Sequence, residues 1–302
     1  MPTPRIGMTQ RRQIIKHRAK VLSGFFYFRL LILFALYVFP LTLAGDLFNR
    51  ISFGGPTFIL LGIEVNLLRE VLLAATVLLE APIFLAVCNY MLALDRETPM
   101  PLLSVFSWYS EGAKLTAALQ YSLFSMGLHV VLFPLRRLPQ LWVAAHMDAY
   151  SEATAAIMDA AAAGTQADMA LVNTVTELSS RFTLCQGIVL LASVLSLWFA
   201  PLPYLLAESP GEGKFFRKVS ESVSVMRGHI VEYCIFIVSF VLWYLLAGLF
   251  GAYACIVCYP YIHLSQAVFL NRLILSARKA KNSPAETAPA EESGDAPSDE
   301  TN

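Results

Sequence analysis

Long apolar runs, separated by short polar segments, form the dominant pattern of the chain. Five of them reach about 20 residues, the helical length that crosses a hydrocarbon core about 30 Å thick. They cover residues 25–48, 67–94, 115–135, 182–207 and 230–270. The last run has 41 residues and would form a helix about 60 Å long, twice the thickness of that core. We predict that it folds back at residues 248–252, beside Gly248 and Gly251, which gives six transmembrane helices in all.

The composition is typical of a chain that is largely embedded in a membrane. Of its 302 residues, 57% are apolar and 15% are charged, and the mean hydropathy is +0.59. Soluble domains are typically about 45–50% apolar and about 25% charged, so a single soluble domain is excluded. Lys and Arg together equal Asp and Glu, 22 of each, without the basic excess of nucleic-acid-binding proteins. We predict an all-α, polytopic integral membrane helical bundle and expect no nucleic-acid partner.

The positions of the basic residues predict the side of the membrane that each loop faces. With the N-terminus inside, sixteen Lys and Arg residues fall on cytoplasmic segments and four fall on the opposite side. Cytoplasmic loops of membrane proteins carry such an excess of positive charge. We therefore expect both the N-terminus and the C-terminus in the cytoplasm.

Three segments flank or interrupt the membrane domain, which we place at residues 25–270. Residues 1–24 are basic, with apolar side chains at helical spacing, typical of an amphipathic helix on an anionic leaflet or of a segment that only sets orientation. Residues 136–181 are acidic and alanine-rich, and Gly164 is placed to end a helix, which predicts an external helical hairpin, either a connector or a binding surface. Residues 271–302 are expected to form a disordered, acidic cytoplasmic tail.

Residues 211–228, between the fourth and fifth apolar runs, combine basic and apolar positions at helical spacing. This pattern fits a cytoplasmic helix that lies along the inner membrane surface, and Gly228 is placed to cap it. We assign its basic residues as candidate contacts to anionic lipid headgroups. They are Lys214, Arg217, Lys218 and Arg227.

Glu80 is the candidate for a polar site inside the membrane, where ionisable residues are costly and often functional. It lies near the middle of the second predicted span, and Pro82 follows it. Backbone carbonyls freed by the proline would then lie near a carboxylate, an arrangement that transporters use for a proton or cation. The structural alternative is a Glu80 that is protonated, or hydrogen-bonded to His129 or Tyr37 at similar depth.

Arg29 and Glu232 are predicted to form a structural ion pair. Both lie in the first turns of spans that start from the cytoplasmic side, so they share a depth in the bundle. Two charges in lipid are tolerated best when each neutralises the other. We therefore expect contact between the first and fifth spans at this point.

No motif of an enzyme, cofactor site or metal site is present in the sequence. The five histidines are scattered, and zinc-protease spacing, a nucleophile elbow and a phosphate loop are all absent. Cys255 and Cys258 have redox spacing, but their apolar surroundings favour a role in packing. We expect no cofactor, and the enzyme hypothesis is weakened.

A series of short sequence motifs along the chain resembles those of a known family. The motifs are Arg18-Ala-Lys20, Tyr90-Met-Leu92, Leu103-Ser-Val-Phe106, Pro203-Tyr204, Met226-Arg227-Gly228, Ser239-Phe240-Val-Leu-Trp243 and Pro260-Tyr261. In this order, over residues 14–275, the chain resembles the bacterial integral-membrane family catalogued as domain-of-unknown-function family 975. The resemblance implies a multi-span helical protein of a bacterial inner membrane without an established activity, and it carries over no catalytic residue.

These observations favour a non-enzymatic envelope protein that binds lipid or membrane-protein partners. The prediction depends on the missing catalytic motifs and on the basic interfacial segments. The alternative is a proton- or ion-coupled transporter of a small solute that uses Glu80. A water-filled cavity at Glu80 would favour transport, whereas a tightly packed interior would favour the non-enzymatic function.

Overall fold

The computed structural model of the protein describes residues 8–51, 57–60, 63–98, 100–166, 168–250 and 252–282. Within these ranges the chain forms eleven α-helices, two short 3-10 turns and one β-ribbon. The helices are α1 (Met8–Phe25), α2 (Tyr27–Ile51), α3 (Leu67–Asp95), α4 (Ser107–Ser110), α5 (Gly112–Ala162), α6 (Met169–Ser196), α7 (Leu202–Glu208), α8 (Phe215–Met226), α9 (Ile230–Val238), α10 (Val241–Phe250) and α11 (Ala252–Asn282). The 3-10 turns are Leu102–Phe106 and Leu197–Phe199. The predicted α-helical class is confirmed for the described part of the chain.

The ribbon is a small departure from the all-α prediction. Its strands, β1 (Thr57–Leu60) and β2 (Ile63–Asn66), pair antiparallel, with Thr57 opposite Asn66 and Leu60 opposite Ile63. Both strands are rich in β-branched and aromatic residues, which favour extended backbone. The ribbon connects α2 to α3, and the rest of the described architecture is helical.

Three segments of the described chain are long and apolar enough to cross a membrane. They are Ala74–Asp95, Gly112–Leu135 and Met169–Glu208. Thr9–Phe25 and Tyr27–Phe39 together meet the same standard, but they are bent by 90° where they join. Helices of this kind indicate a membrane protein, although fewer segments qualify than the six that the apolar runs predict.

One reason for the difference is a break in the fifth apolar run. Helix α9 ends at Val238 and α10 begins at Val241, so neither helix is long enough by itself to cross a membrane. The Nζ atom of Lys16, on α1, donates to the backbone oxygen of Ser239 at 3.3 Å. The same ammonium group lies 4.5 Å from the centre of the Phe240 ring. A side chain distant in sequence therefore binds the backbone where the helix is interrupted.

The predicted fold-back of residues 230–270 is present in the structure. Rings on α9 and α10 pack against rings on α11 in antiparallel order, with Phe236 against Phe269 at 4.7 Å between centroids and Trp243 against Tyr261 at 5.8 Å. Helix α10 ends at Phe250 and α11 begins at Ala252. Both helix ends fall within the predicted interval 248–252, and Gly251 between them lies outside the described residues.

Large apolar side chains cover the outside of the bundle as well as its interior. Inside, α3, α7 and α11 contribute the buried residues Tyr90, Leu205 and Phe269 to one core. Outside, Leu79, Val131, Leu190 and Leu242 are each at least 67% exposed. Exposed apolar surface of this extent is unusual for a soluble protein and fits helices that face lipid tails.

Helices α5 and α6 form a long antiparallel hairpin. With 51 residues, α5 is about 76 Å long, more than twice the thickness of a hydrocarbon core. Gly164 follows the end of α5 with a φ of +65°, and Asp168 caps α6 by accepting a bond from the amide of Ala170 at 2.9 Å. The helical hairpin predicted for residues 136–181 is thus present as the outer part of these two helices, and its location outside a membrane stays a prediction.

The two ends of the described chain pack on each other. Ile15 and Ala19 of α1 are buried, and α11 is the main contact of α1. The apolar face predicted to lie on a leaflet is therefore used in part for protein packing. Helix α11 continues to Asn282, with Leu273 and Ile274 buried. The prediction of a disordered tail from residue 271 is wrong for residues 271–282, and residues 283–302 lie outside the described ranges.

Candidate functional site

Glu80 lies on α3 and forms a side-chain hydrogen bond with Tyr37 of α2. The carbonyl of Leu79, next to Glu80 in the chain, accepts a hydrogen bond from the hydroxyl of Tyr109 at 2.6 Å. Both polar groups near Pro82 therefore have protein partners, as groups inside a membrane require. Of the two partners predicted for Glu80, Tyr37 is the one that binds it.

His129 does not belong to the Glu80 site. Its side chain is exposed on the surface of α5, and its ring packs against Phe133 with 6.3 Å between centroids. The pairing with Glu80 is predicted from the similar depth of the two residues in the membrane. Depth does not determine which face of the helix carries a side chain. The candidate site is therefore the pair Glu80 and Tyr37, without His129.

A row of aromatic rings connects this pair with a cavity in the bundle. Tyr37 contacts Phe84 at 6.0 Å, and Phe84 stacks on Tyr121 at 5.6 Å. Phe84 and Tyr121 also line a cavity of about 260 Å³ between the helices. The lining of the cavity includes Ser125, Tyr204, His263 and Gln266, whose side chains carry hydroxyl, imidazole and amide groups. The arrangement offers hydrogen bonds to a small polar molecule, and no Asp, Glu, Lys or Arg is among its lining residues.

The predicted ion pair between Arg29 and Glu232 is not formed. Glu232 is buried, and its carboxylate lies 3.7 Å from Nη1 of Arg11 and 3.3 Å from Nδ1 of His229. Arg29 is exposed, with its guanidinium 5.9 Å from the centre of the Phe26 ring. Arg11 thus takes the place predicted for Arg29 as the partner of Glu232. The 90° bend after α1 accounts for this, because Arg11 on α1 reaches α9 while Arg29 is exposed on α2.

Helix α8 presents an amphipathic surface to its surroundings. The helix begins at Phe215, just after Gly213, which has a φ of +73°. It ends before Gly228, whose φ of +84° matches the predicted cap. Phe216 is 80% exposed. We use the name α8 surface for Phe216 together with the exposed basic residues at the two ends of α8, Lys214 and Arg217 at its start and Arg227 at its end.

Lys218 is not part of this surface, although the sequence grouped it with the other basic residues. It is buried, and its Nζ donates to the hydroxyl of Ser209 at 3.0 Å and to the backbone oxygen of Ser209. Burial lowers the pKa of Lys218, while the carboxylates of Glu212, Glu221 and Glu208 oppose that effect. Its contact binds α8 to the end of α7, so the prediction of a lipid contact is wrong for Lys218.

A polar network at one end of the bundle contains functional groups that sequence reasoning missed. Asp95, at the end of α3, is buried. Its Oδ1 accepts a bond from Nε of Arg18 at 2.7 Å, and its Oδ2 accepts a bond from Nδ2 of Asn271 at 2.7 Å. Arg18 Nη2 also donates to the Asp95 carbonyl. The charge of Asp95 is thus matched by donors from α1 and α11, and charge-assisted bonds of this kind are the strong ones.

Arg96 extends this network to α7 and α8. Its guanidinium contacts Asn271 Oδ1 at 2.8 Å and Glu208 Oε1 at 2.8 Å. The other oxygen of Glu208 lies 2.8 Å from Arg278, which also contacts Glu221 at 3.2 Å. Cations and carboxylates alternate along the network, so it holds five helices together without a large net charge. We call this cluster the charged end, and it consists of Arg18, Asp95, Arg96, Glu208, Glu221, Asn271 and Arg278.

The cysteines do not form a redox or metal centre among the residues that the structure describes. Cys88 and Cys258 are buried, and Cys185 and Cys234 are partly buried. The side chain of Cys255 lies outside the described residues. Within the described ranges no three His, Cys, Asp or Glu side chains are arranged to hold a metal ion.

Comparison with known proteins adds no assignment to these sites. No family model, curated protein or solved structure matches the chain. The resemblance to the bacterial family 975, which rests on short sequence motifs, therefore stays a prediction.

Proposed function

We propose that the protein is a non-enzymatic membrane protein that binds anionic lipid headgroups through the α8 surface. The observation that carries the proposal is Phe216, which is 80% exposed and lies between the exposed cations Lys214 and Arg217. An apolar ring flanked by basic side chains suits the boundary between headgroups and acyl chains. Each cation near an anionic surface contributes about 1 kcal/mol to such binding.

We also propose six spans, both termini in the cytoplasm, and a bacterial inner membrane as the location. The three long apolar segments and the fold-back of α9 and α10 on α11 support a polytopic arrangement. The excess of Lys and Arg in alternate loops supports the orientation. In this arrangement the α8 surface and the charged end lie on the cytoplasmic side, next to the anionic leaflet.

Charge reversal on α8 tests the lipid-binding proposal. The full-length protein is purified from membranes that contain equal amounts of phosphatidylglycerol and phosphatidylcholine, and the bound lipid is measured by mass spectrometry. We expect the triple variant K214E/R217E/R227E to lower the ratio of phosphatidylglycerol to phosphatidylcholine several-fold. The matched control R181E/K279E/K281E has the same change in charge at exposed positions on α6 and α11, and it should keep most of the preference. Equal ratios for the wild-type protein and the α8 variant would contradict the proposal.

A second candidate function is proton- or ion-coupled transport of a small solute through Glu80. One observation favours it: the Glu80 and Tyr37 pair is linked by Phe84 to a cavity of about 260 Å³ with polar lining groups. A carboxyl group with a tyrosine partner could exchange a proton, and the cavity could hold the solute. Because Glu80 itself is held by a protein partner, we place this function second.

Transport is tested with the purified protein in liposomes and a panel of small polar solutes under an inward proton gradient. If Glu80 carries the proton, Glu80→Gln should abolish uptake while the protein stays folded, and Tyr37→Phe should reduce it. Glu111→Gln is the control, because Glu111 is an exposed carboxylate that pairs with Lys114 at 2.8 Å. An uptake rate that Glu80→Gln leaves unchanged would dismiss this candidate.

A further inference from the structure

A groove runs between α1 and the part of α11 next to the charged end. Its volume is about 600 Å³, within the range of about 300–1,000 Å³ typical of ligand pockets. The residues that line the groove include Ile14, His17, Arg18, Val21, Glu97 and Arg272. The groove therefore combines cations, one carboxylate and apolar side chains, and it is separate from the α8 surface.

Arg272 is the cation of this groove without an ion-pair partner in the part of the chain that the structure describes. Arg18 is bound to Asp95 at 2.7 Å and to Glu97 at 3.5 Å, whereas no described carboxylate lies within 4 Å of Arg272. Burial lowers the pKa of Arg272. The negative charge of Asp95 raises this pKa, and the positive charges of Arg18 and Arg11 lower it further. A guanidinium stays protonated in proteins, so an anion that entered the groove would meet a cation that is not already in contact with a described carboxylate.

The apolar lining of the groove lies on α1, the helix that also carries Arg18, whereas Arg272 lies on α11. Ile14 and Val21 of α1 are 41% and 44% exposed, so part of the apolar face of α1 stays open although Ile15 is buried against the bundle. Helix α1 meets α2 at 90°. If α2 crosses the membrane, α1 lies along its surface, where a headgroup would meet the cations and an acyl chain would meet Ile14 and Val21.

We propose that this groove binds one anionic phospholipid, with its phosphate at Arg272 and Arg18 and the start of an acyl chain along Ile14 and Val21. The phosphate accepts hydrogen bonds from the guanidinium groups, which match its geometry well. Glu97 is 78% exposed, so its carboxylate can turn toward solvent when the phosphate enters. The proposal depends on the proposed function only in placing the chain in a membrane, because it concerns a different site.

Native mass spectrometry of the full-length protein in detergent, with phosphatidylglycerol added, tests this assignment. The wild-type protein should retain one tightly bound lipid through delipidation. Arg272→Gln should weaken that binding about tenfold, the loss expected for one charged hydrogen bond, and Arg272→Lys should weaken it less. Glu97→Gln should retain the lipid at least as well as the wild-type protein, because it removes a negative charge from the groove.

Two results would overturn the assignment: an Arg272→Gln variant that retains the lipid like the wild-type protein, or a Glu97→Gln variant that loses it equally. Thermal unfolding without added lipid is measured on each variant, and a loss of lipid counts only for variants that are folded. Glycerol phosphate is the soluble probe. If it displaces the lipid completely at equal concentration, the groove is a phosphate site and the acyl-chain contact is wrong.

The α8 charge reversal separates this inference from the proposed function. K214E/R217E/R227E should lower the general preference for phosphatidylglycerol but leave the single tightly bound lipid. Arg272→Gln should remove the single lipid but leave the general preference. Loss of both properties in the α8 variant, with no effect of Arg272→Gln, would support the α8 surface and refute the groove.

Discussion

Asp95 and Glu97 bind the same arginine from two different environments. Asp95 is 6% exposed and contacts Arg18 at 2.7 Å, whereas Glu97 is 78% exposed and contacts it at 3.5 Å. A buried carboxylate without its partners is costly, while an exposed ion pair contributes about 0–1 kcal/mol. The two residues therefore provide a matched comparison at one arginine.

We expect Asp95→Asn to destabilise the protein by about 2–3 kcal/mol, because it removes the charge between Arg18 and Asn271 at the buried centre of the network. The value is below that of a fully buried pair because Arg18 is itself partly exposed. Glu97→Gln should change the stability by less than about 1 kcal/mol. Thermal unfolding in detergent measures both variants. Equal stability of the two would show that the buried network does not hold the bundle together.

Individual side chains were the least predictable part of this protein. Depth and charge predict a lipid contact for Lys218, and they predict Glu232 and Glu80 as the partners of Arg29 and His129. In the structure all three side chains make other contacts. Depth specifies a distance along a helix but not the face of the helix, and the face decides which partner is reached. One signal was available for the charged end, because Asn271 is a polar residue directly after a long apolar run.

At the scale of elements, the α5 and α6 hairpin shows how one residue ends a long helix. Gly164 has a φ of +65°, and the amide of Thr165 returns to the carbonyl of Ala160 at 2.9 Å. Positive φ is a conformation that glycine adopts without a steric cost. Nothing lies within 4 Å of the position of an added Cβ at Gly164, so only the backbone conformation opposes a larger residue there.

Gly164→Ala should therefore destabilise the hairpin by about 1 kcal/mol, the cost of the left-handed conformation for an L-residue with a side chain. Gly127→Ala is the control, because Gly127 lies inside α5 with equal space around it, and there alanine should stabilise the helix by a similar amount. Opposite shifts of the unfolding temperature are the expected result. Shifts of the same sign would contradict this account of the turn.

Elements were more predictable than side chains because apolar runs and helix-ending glycines are local signals. The hairpin turn at Gly164 and the reversal between α10 and α11 both follow from the sequence. The break at Ser239 does not, and the residue that contacts its carbonyl, Lys16, is 223 residues away in the chain. A contact between distant residues leaves no periodic pattern at either site.

At the scale of the whole molecule, two kinds of surface divide the bundle. Apolar side chains such as Val131 and Leu242 are exposed along the helices, while Arg18, Asp95 and Glu208 form the charged end. In water the exposed apolar surface would favour aggregation, whereas in lipid it is solvated. In the membrane arrangement that we propose, the charged end lies at the membrane surface, where partly exposed ion pairs remain hydrated.

Single-cysteine labelling in intact cells tests the membrane arrangement most directly. Ala163→Cys, at the end of the α5 and α6 hairpin, should react with a membrane-impermeant maleimide in intact cells, with the parent chain and its native cysteines as background. Lys214→Cys beside α8 and Lys281→Cys near the end of α11 should react only after lysis. Equal labelling of all three positions before lysis, or labelling of position 281 alone, would contradict the proposed arrangement.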